Sequence, residues 1–231
     1  MSDIKQNQSG EIRRYELLAG VNRGWRKAEM EMLARIGALD SADTSAVAAM
    51  IKDFRRLVVL ARFRLVYENS IHAALDERKP GASGSSADHD QYDQCFARLE
   101  SMLVGIEAVK GGPSRRNMLK TLYLRFSEFI ALDFARMANE EQIVRPLLHA
   151  LFSDDELAAM EQRSVVKMPQ DVFGHFIKII APALDPEGRK ELVARLKRYM
   201  PQERFDALMR DAVRPAMTND DASGLEEKQA A

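Results

Sequence analysis

The feature that most constrains this chain is a seam in which charge stands where hydrocarbon is expected. Met50, Phe54, Leu57, Ala61, Arg64, Glu68, Ile71 and Leu75 follow one another at spacings of 4, 3, 4, 3, 4, 3 and 4. That alternation holds side chains on one stripe of a helix, the stripe that faces neighbouring helices. Arg64 and Glu68 therefore point toward a core. Burying charge without a partner is costly, so these residues require company. The same spacing returns in Leu122, Phe126, Phe129, Asp133, Arg136, Glu140, Ile143 and Leu147, where three consecutive seam positions are charged.

The charged seams belong to predicted helices over 46–78 and 117–152. A first helix is predicted over 11–38, with Leu18, Val21, Trp25, Met32 and Ile36 on its apolar face and Asn22 at the border. Thr44 or Ser45 is the expected cap of the second helix. A third helix is predicted over 88–110, with His89, Tyr92, Phe96, Leu99, Leu103 and Ile106 as its seam and Asp93 beside it. Gly111-Gly112-Pro113 ends it. Four long helices with short turns predict an all-α, up-down-up-down four-helix bundle over 11–152. Ser153-Asp154-Asp155-Glu156 then reads as a helix start with Ser153 as N-cap. Pro169, Pro182, Pro186 and Pro201 punctuate shorter helices near 154–166, 169–181, 186–199 and 201–213. A C-terminal helical extension over 153–215 and a disordered polar tail over 216–231 follow. The chain carries no sustained strand pattern and no fixed-period repeat.

Depth in such a bundle follows from counting residues from the turns. Arg64 lies about 23 residues after the turn near 41, roughly 35 Å along its helix. His89 and Arg136 lie about as far from the turn near 113, and Asn22 about 19 residues before the first turn. Asn22, Arg64, Glu68, His89, Asp93, Arg136 and Glu140 are therefore expected at one level, with Asp133 on the same seam. Arg64 with Glu68, and Arg136 with Asp133, Glu140 or Glu141, are spaced to pair within a helix.

Composition removes several classes of function. A net charge of -1 and a pI near 6.5 give no bulk attraction to nucleic acid or to an anionic membrane. No apolar run is long enough for a membrane helix. The stretch MSDIKQNQSGEIRR lacks an apolar centre, so no signal peptide is expected. A single cysteine, Cys95, suits a reducing compartment, and a cytoplasmic protein is expected. The chain shows no nucleophile–base pair, no glycine-rich phosphate loop and no CxxC. The C-terminal helices are the natural place for a protein partner or a second copy of the chain.

Glu68-Asn69-Ser70-Ile71-His72-Ala73-Ala74-Leu75, Asp76 to Gly81, Asp88-His89 and Arg136-Met137-Ala138-Asn139-Glu140-Glu141 give the chain a resemblance to the hemerythrin-like (HHE, cation-binding) family. The resemblance spans roughly 15–160, and a bacterial subgroup is similar in the extension also. It implies a helical bundle holding a pair of non-haem irons that bind oxygen or react with nitric oxide or peroxide. The family draws a His from the first helix, His-x-x-x-Glu from the second, His-x-x-x-His from the third and His-x-x-x-x-Asp/Glu from the fourth. Here those positions read Asn22, Arg64 with Glu68, His89 with Asp93, and Arg136 with Glu141. The subgroup often carries His where this chain has Tyr67 and Glu161. The chain has 4 His in all (His72, His89, His149 and His175), too few for the usual di-iron site.

Two readings follow. In the first, the di-iron site has degenerated, no cofactor is bound, and an internal ion-pair layer serves a non-enzymatic binding or regulatory protein. In the second, non-haem iron is held by a reduced set drawn from Glu68, His72, His89, Asp93, Glu140 and Glu141, with the arginines turned away, and handles oxygen, nitric oxide or peroxide. Arginines at such a level also suit an anion or small-acid pocket.

Overall fold

A computed structural model describes residues 14–83 and 88–216, without the side chains of 88–90 and 216. Of the expected tail over 216–231, residue 216 closes a short helical turn and the rest lies outside the described residues, as do the first residues of the expected first helix. What is described is all-helical, and no strand occurs among the described residues. No helix there is long and apolar enough to cross a membrane.

Helix α1 spans Ala19–Ala38, α2 Thr44–Arg78, α3 Asp88–Ala108 and α4 Gly112–Asn139. The first helix is shorter than its periodicity suggests, because residues 14–18 are not helical. Arg14 ties that segment down. Its guanidinium donates to the carbonyls of His149 and Phe152, each at 2.8 Å, and to Asp154 Oδ1 at 2.7 Å. Free carbonyls at a helix end are thereby satisfied by a distant cation. Asp43, rather than Thr44 or Ser45, caps α2 by accepting from the Ala46 N–H at 2.9 Å. Helix α4 begins earlier than expected, at Gly112, with Pro113 in its first turn and with Gly111 and Gly112 both at positive φ.

Helix α1 packs on α4, on α2 and on a later helix, α7 (Gln170–Ile180), and α3 packs on α4 and α2. Buried Arg115 donates to the carbonyls of Val109 and Ser41, at 2.6 and 3.2 Å. It thus fastens the α3–α4 turn to the α1–α2 turn, and both turns lie at one end. Arg64 is about 30 Å along α2 from that end at helical rise.

The fourth seam departs from its expected course. A π-helical turn at Glu140–Val144 joins α4 to α5, Arg145–Leu151. Such a turn carries an extra residue and advances the buried face by one position. Ile143, expected on the seam, is 53 % exposed, and Leu147 is only partly buried. Val144 and Leu148 take their places in the core.

The rest of the chain follows its punctuation: α6 Asp154–Lys167, α7 Gln170–Ile180, α8 Pro186–Tyr199 and α9 Gln202–Leu208. Ser153 caps α6 in a reciprocal box with Glu156. Gly24 lets α1 and α7 touch backbone to backbone. A Cβ there would stand 2.8 Å from the Ile180 Cα.

The apolar interior falls into two clusters. The larger runs through α1–α4 and continues into α7–α9. The smaller gathers Leu17, Leu18, Ile71, Leu75, Val144, Leu148, Phe152, Leu157 and Met160. Along α2 the change comes between Ala61 and Ile71, and along the fourth helix between Met137 and Val144. Arg64, Glu68 and Glu140 lie in that gap.

Candidate functional site

Helices α2 and α4 build a closed square of alternating charge in the gap. Arg64 Nε donates to Glu68 Oε1 and Arg64 Nη1 to Asp133 Oδ2, both at 2.6 Å. Arg136 Nη1 donates to Glu68 Oε2, and Arg136 Nη2 to Asp133 Oδ1 at 3.0 Å. Each carboxylate bridges both guanidiniums, and each guanidinium bridges both carboxylates. The local cause is the 4–3 spacing, which sets Arg64 and Glu68 one turn apart, and Asp133 and Arg136 likewise. Arg64, Glu68 and Asp133 are at most 2 % exposed.

Two further helices complete the layer. From α1, Asn22 Nδ2 donates to Glu140 Oε2 at 3.2 Å, while Arg136 Nη1 reaches Glu140 Oε1 at 3.0 Å. From α3, the Tyr92 hydroxyl donates to Asp133 Oδ1 at 2.9 Å and accepts from Arg136 Nε at 3.0 Å. The Arg64 guanidinium lies over the Trp25 ring, 5.2 Å from its centroid, and that of Arg136 over Tyr92, at 4.9 Å. Weakly hydrated, planar guanidinium suits such stacking where an ammonium would not.

Glu29 is a member that the sequence reading missed. It is fully buried on α1 and accepts from Trp25 Nε1 at 3.0 Å. Burial, then the charge of Asp133, push its pKa up to about 9. Glu29 is therefore protonated at neutral pH. The signal was available: Glu29 lies one turn after Trp25 and seven residues after Asn22, on the face already read as apolar. Glu140 is raised to about 7, by burial first and by the charge of Glu68 second. Burial opposes the charge of Asp133, but Arg64 and Arg136 outweigh it and hold that carboxyl well below its usual range.

Of the residues expected at this level, Asn22, Arg64, Glu68, Asp133, Arg136 and Glu140 meet in one network. Asp93 does not. Its side chain is 70 % exposed and approaches Arg62 at 4.0 Å, because α3 turns the neighbouring Tyr92 inward instead. Glu141 faces α1 outside the square and holds Arg26 through two bonds, at 2.7 and 3.2 Å. His72 is buried one turn beyond Glu68, beside Ile71. His89 belongs to α3, and its side chain lies outside the described residues. His149 meets the Tyr15 carbonyl and His175 the Asp171 carbonyl.

The donor set does not fit the iron pair that the resemblance implies. All four oxygens of Glu68 and Asp133 accept from guanidinium, and both oxygens of Glu140 are engaged. A cation entering the square would meet two fixed positive charges that neither deprotonate nor ligate. Among the described residues, no group of three or more His, Cys, Asp or Glu is placed to hold a metal ion.

A second polar cluster lies between the N-terminal segment and the C-terminal helices. The Tyr15 hydroxyl donates to Glu161 Oε2 and lies 3.1 Å from the Tyr199 hydroxyl. Arg195 Nη1 donates to the Glu16 carbonyl at 3.2 Å and to Glu161 Oε1 at 3.5 Å. Burial, then the Glu161 charge, raise the pKa of Tyr15 and of Tyr67 far above the usual tyrosine value. Both hydroxyls stay neutral.

Comparison of the chain with protein-family models, with curated proteins and with solved structures gives no match.

Proposed function

We propose that this chain is a hemerythrin-like up-down-up-down four-helix bundle with a C-terminal helical extension, in which a guanidinium–carboxylate layer has replaced the di-iron centre. It acts as a non-enzymatic binding or regulatory protein. The observation that carries the reading is the closed square of Arg64, Glu68, Arg136 and Asp133. Two of its corners, Arg64 and Arg136, fall where the resemblance places histidine ligands. Charge that the metal would have supplied comes from the protein itself, which removes the penalty of leaving Glu68 and Asp133 unpaired in a core. Static pairing also supports a non-enzymatic role. The carboxylates are engaged with fixed cations, and no nucleophile–base pair stands in the layer.

The test is the metal content of protein purified after iron-replete, low-oxygen growth. Iron should be far below one per chain, and Glu68→Ala should not change it. Near-stoichiometric iron that is lost in Glu68→Ala or His89→Ala would overturn the proposal.

A further inference from the structure

A groove of about 260 Å³ runs along the outside of the fold where α2 meets α6. Phe63 and Val66 of α2, Met160 of α6 and Met168 just beyond it give the groove an apolar floor. Val59, Phe63 and Val66 follow one another at spacings of 4 and 3, as on a buried seam, yet Val59 and Val66 are both exposed. Along α6, Arg163 and Lys167 line the same groove one turn apart. Neither has an ion-pair partner among the described residues, and no Asp or Glu among them lines the groove. Like charges at that spacing repel each other along a helix. A cation in the last turn complements the helix dipole, which accounts for Lys167 but not for a second cation beside it. The hydroxyls on the lining are already spent. Ser70 donates to the Tyr67 carbonyl at 2.6 Å, Ser164 to the Met160 carbonyl at 3.2 Å, and Tyr67 to the Leu17 carbonyl at 3.3 Å. Hydrocarbon and two unneutralised cations are what the groove offers a ligand.

We propose that this groove binds a medium-chain aliphatic carboxylate, its tail along Phe63, Val66 and the two methionines and its head between Arg163 and Lys167. Complementarity decides the class. A neutral alcohol would leave both cations as they are, and a small hydrophilic anion would leave the floor in water. A carboxylate with a tail answers both, and its planar head matches the fork of a guanidinium. The unbranched, polarisable methionine side chains adapt to a flexible tail. Size sets the length. The volume exceeds the ~150 Å³ that admits benzene and falls short of the ~300 Å³ at which sites for drug-sized ligands begin, which suits a chain of about eight carbons. The site lies apart from the square of ion pairs. It gives the binding role proposed above a ligand without resting on the metal-free reading of the layer.

The methionine methyls supply the readout. Full-length protein is titrated with octanoate below its micellar range while the Met160 and Met168 methyls are followed by NMR, with octanol, octylammonium and acetate as comparisons. Octanoate should shift both methyls saturably. Octanol should bind about fivefold more weakly, the weight of two exposed charge pairs. Octylammonium should bind more weakly than octanol, and acetate should leave both methyls unmoved. Added salt should weaken octanoate relative to octanol, because the cations are exposed to screening. Arg163→Gln with Lys167→Gln changes two exposed side chains and spares the core. In that variant octanoate should fall to the level of octanol, whose own binding should be unchanged. Met160 lines this groove and not the neighbouring cavity that Met168 and Leu196 also line. A Leu196 shift in place of the Met160 shift would put the ligand in that cavity and overturn the assignment. Arg116 and Lys120 line a groove between α1 and α4 together with Leu119, and an equal, saturable Leu119 shift would show that octanoate merely follows surface cations. Equal affinity for octanol and octanoate, a linear response, or full octanoate affinity in the double variant would each overturn it too. So would methyl shifts on dilution of the ligand-free protein, which would place a second copy of the chain on this face. Iron measured on the same sample tests the reading of the layer alone and leaves the outcome at the groove unaffected.

Discussion

Two clusters in which arginine meets carboxylate inside the fold are built on different logic. In the layer within α1–α4, two guanidiniums and two carboxylates close a square, with Glu140 and the protonated Glu29 as further members. In the cluster between the N-terminal segment and α6 and α8, one guanidinium meets one carboxylate, and tyrosine hydroxyls and a backbone carbonyl fill the remaining positions. Arg64, Glu68 and Asp133 are at most 2 % exposed and the Arg136 side chain 12 %, whereas Arg195 and Glu161 keep side-chain exposures of 24 % and 19 %. A buried array of charge is held by mutual neutralisation, and each member depends on the others being charged. A partly wet pair has solvent as a reserve partner.

The largest expected effect tests that dependence. Arg64→Met leaves Glu68 and Asp133, each about 1 % exposed, facing one cation instead of two. Its cost should be about 3–5 kcal/mol in urea denaturation. Adding Glu68→Gln should recover a substantial part, since the orphaned charge leaves with its partner. Arg195→Met should cost about 1 kcal/mol, because Glu161 keeps the Tyr15 hydroxyl and gains water. Equal costs at the two sites would show that the square is solvated and erase the contrast.

Acidity separates the two regions next. Glu140 rises from its usual 4.5 to about 7 and Glu29 to about 9, so the folded protein holds these protons more tightly than the unfolded chain. Their contribution to stability is fully present below pH 4.5, is lost from Glu140 as pH rises through about 7, and from Glu29 through about 9. Asp133 runs the other way. Its lowered pKa gives stability that is present above 3.8 and lost in stronger acid. Stability should therefore fall from mildly acidic to alkaline pH by about 1 kcal/mol per unit of pKa displacement. Glu140→Gln should flatten the part near neutrality and Glu29→Gln the alkaline part. The Tyr15 hydroxyl, raised from 10, adds no slope below pH 10. A flat profile for the unmodified protein from pH 5 to 9 would mean that neither glutamate titrates as a buried acid.

The two regions were also unequally legible in the sequence. The square could be anticipated because its members lie three or four residues apart on two helices, a spacing that local geometry fixes. Its level followed from counting turns, and Arg115 shows that the two turns do share an end. The failures near it have physical causes. The π turn at Glu140–Val144 breaks the 3.6-residue period, so Ile143 was placed inside and Val144 was not. Asp93 has the expected depth and stands beside the seam, but Tyr92 holds the inward position and leaves Asp93 facing outward. Glu29 reads from the sequence as a border residue, because nothing in its spacing shows that burial keeps a lone carboxyl protonated. The other cluster had no such handle. Tyr15 and Glu161 are separated by 146 residues, and Tyr15 and Tyr199 by 184. No periodicity links them, and Arg14, which pins the segment carrying Tyr15, bonds backbone carbonyls that have no sequence signature.

The smallest effect should reverse the order of the first. Tyr92 and Tyr15 each give a hydroxyl to a paired carboxylate, and phenylalanine removes that group alone. In the square the loss is covered: Asp133 Oδ1 keeps Arg136 Nη2 at 3.0 Å, and Arg136 Nε already lies 3.3 Å away. Tyr92→Phe should cost about 0.5 kcal/mol, the low end for a hydrogen bond with a substitute at hand. In the other cluster, Tyr15 is the one donor to Glu161 Oε2 among the described residues, while Arg195 serves Oε1 from 3.5 Å. Tyr15→Phe should cost about 1 kcal/mol, moderated by water reaching Glu161. The square would then be the more fragile region toward loss of charge and the more tolerant toward loss of a neutral donor. That crossing of the two orders, read by urea denaturation of four single variants, is what a mutually neutralising ring requires and what two independent ion pairs would not produce.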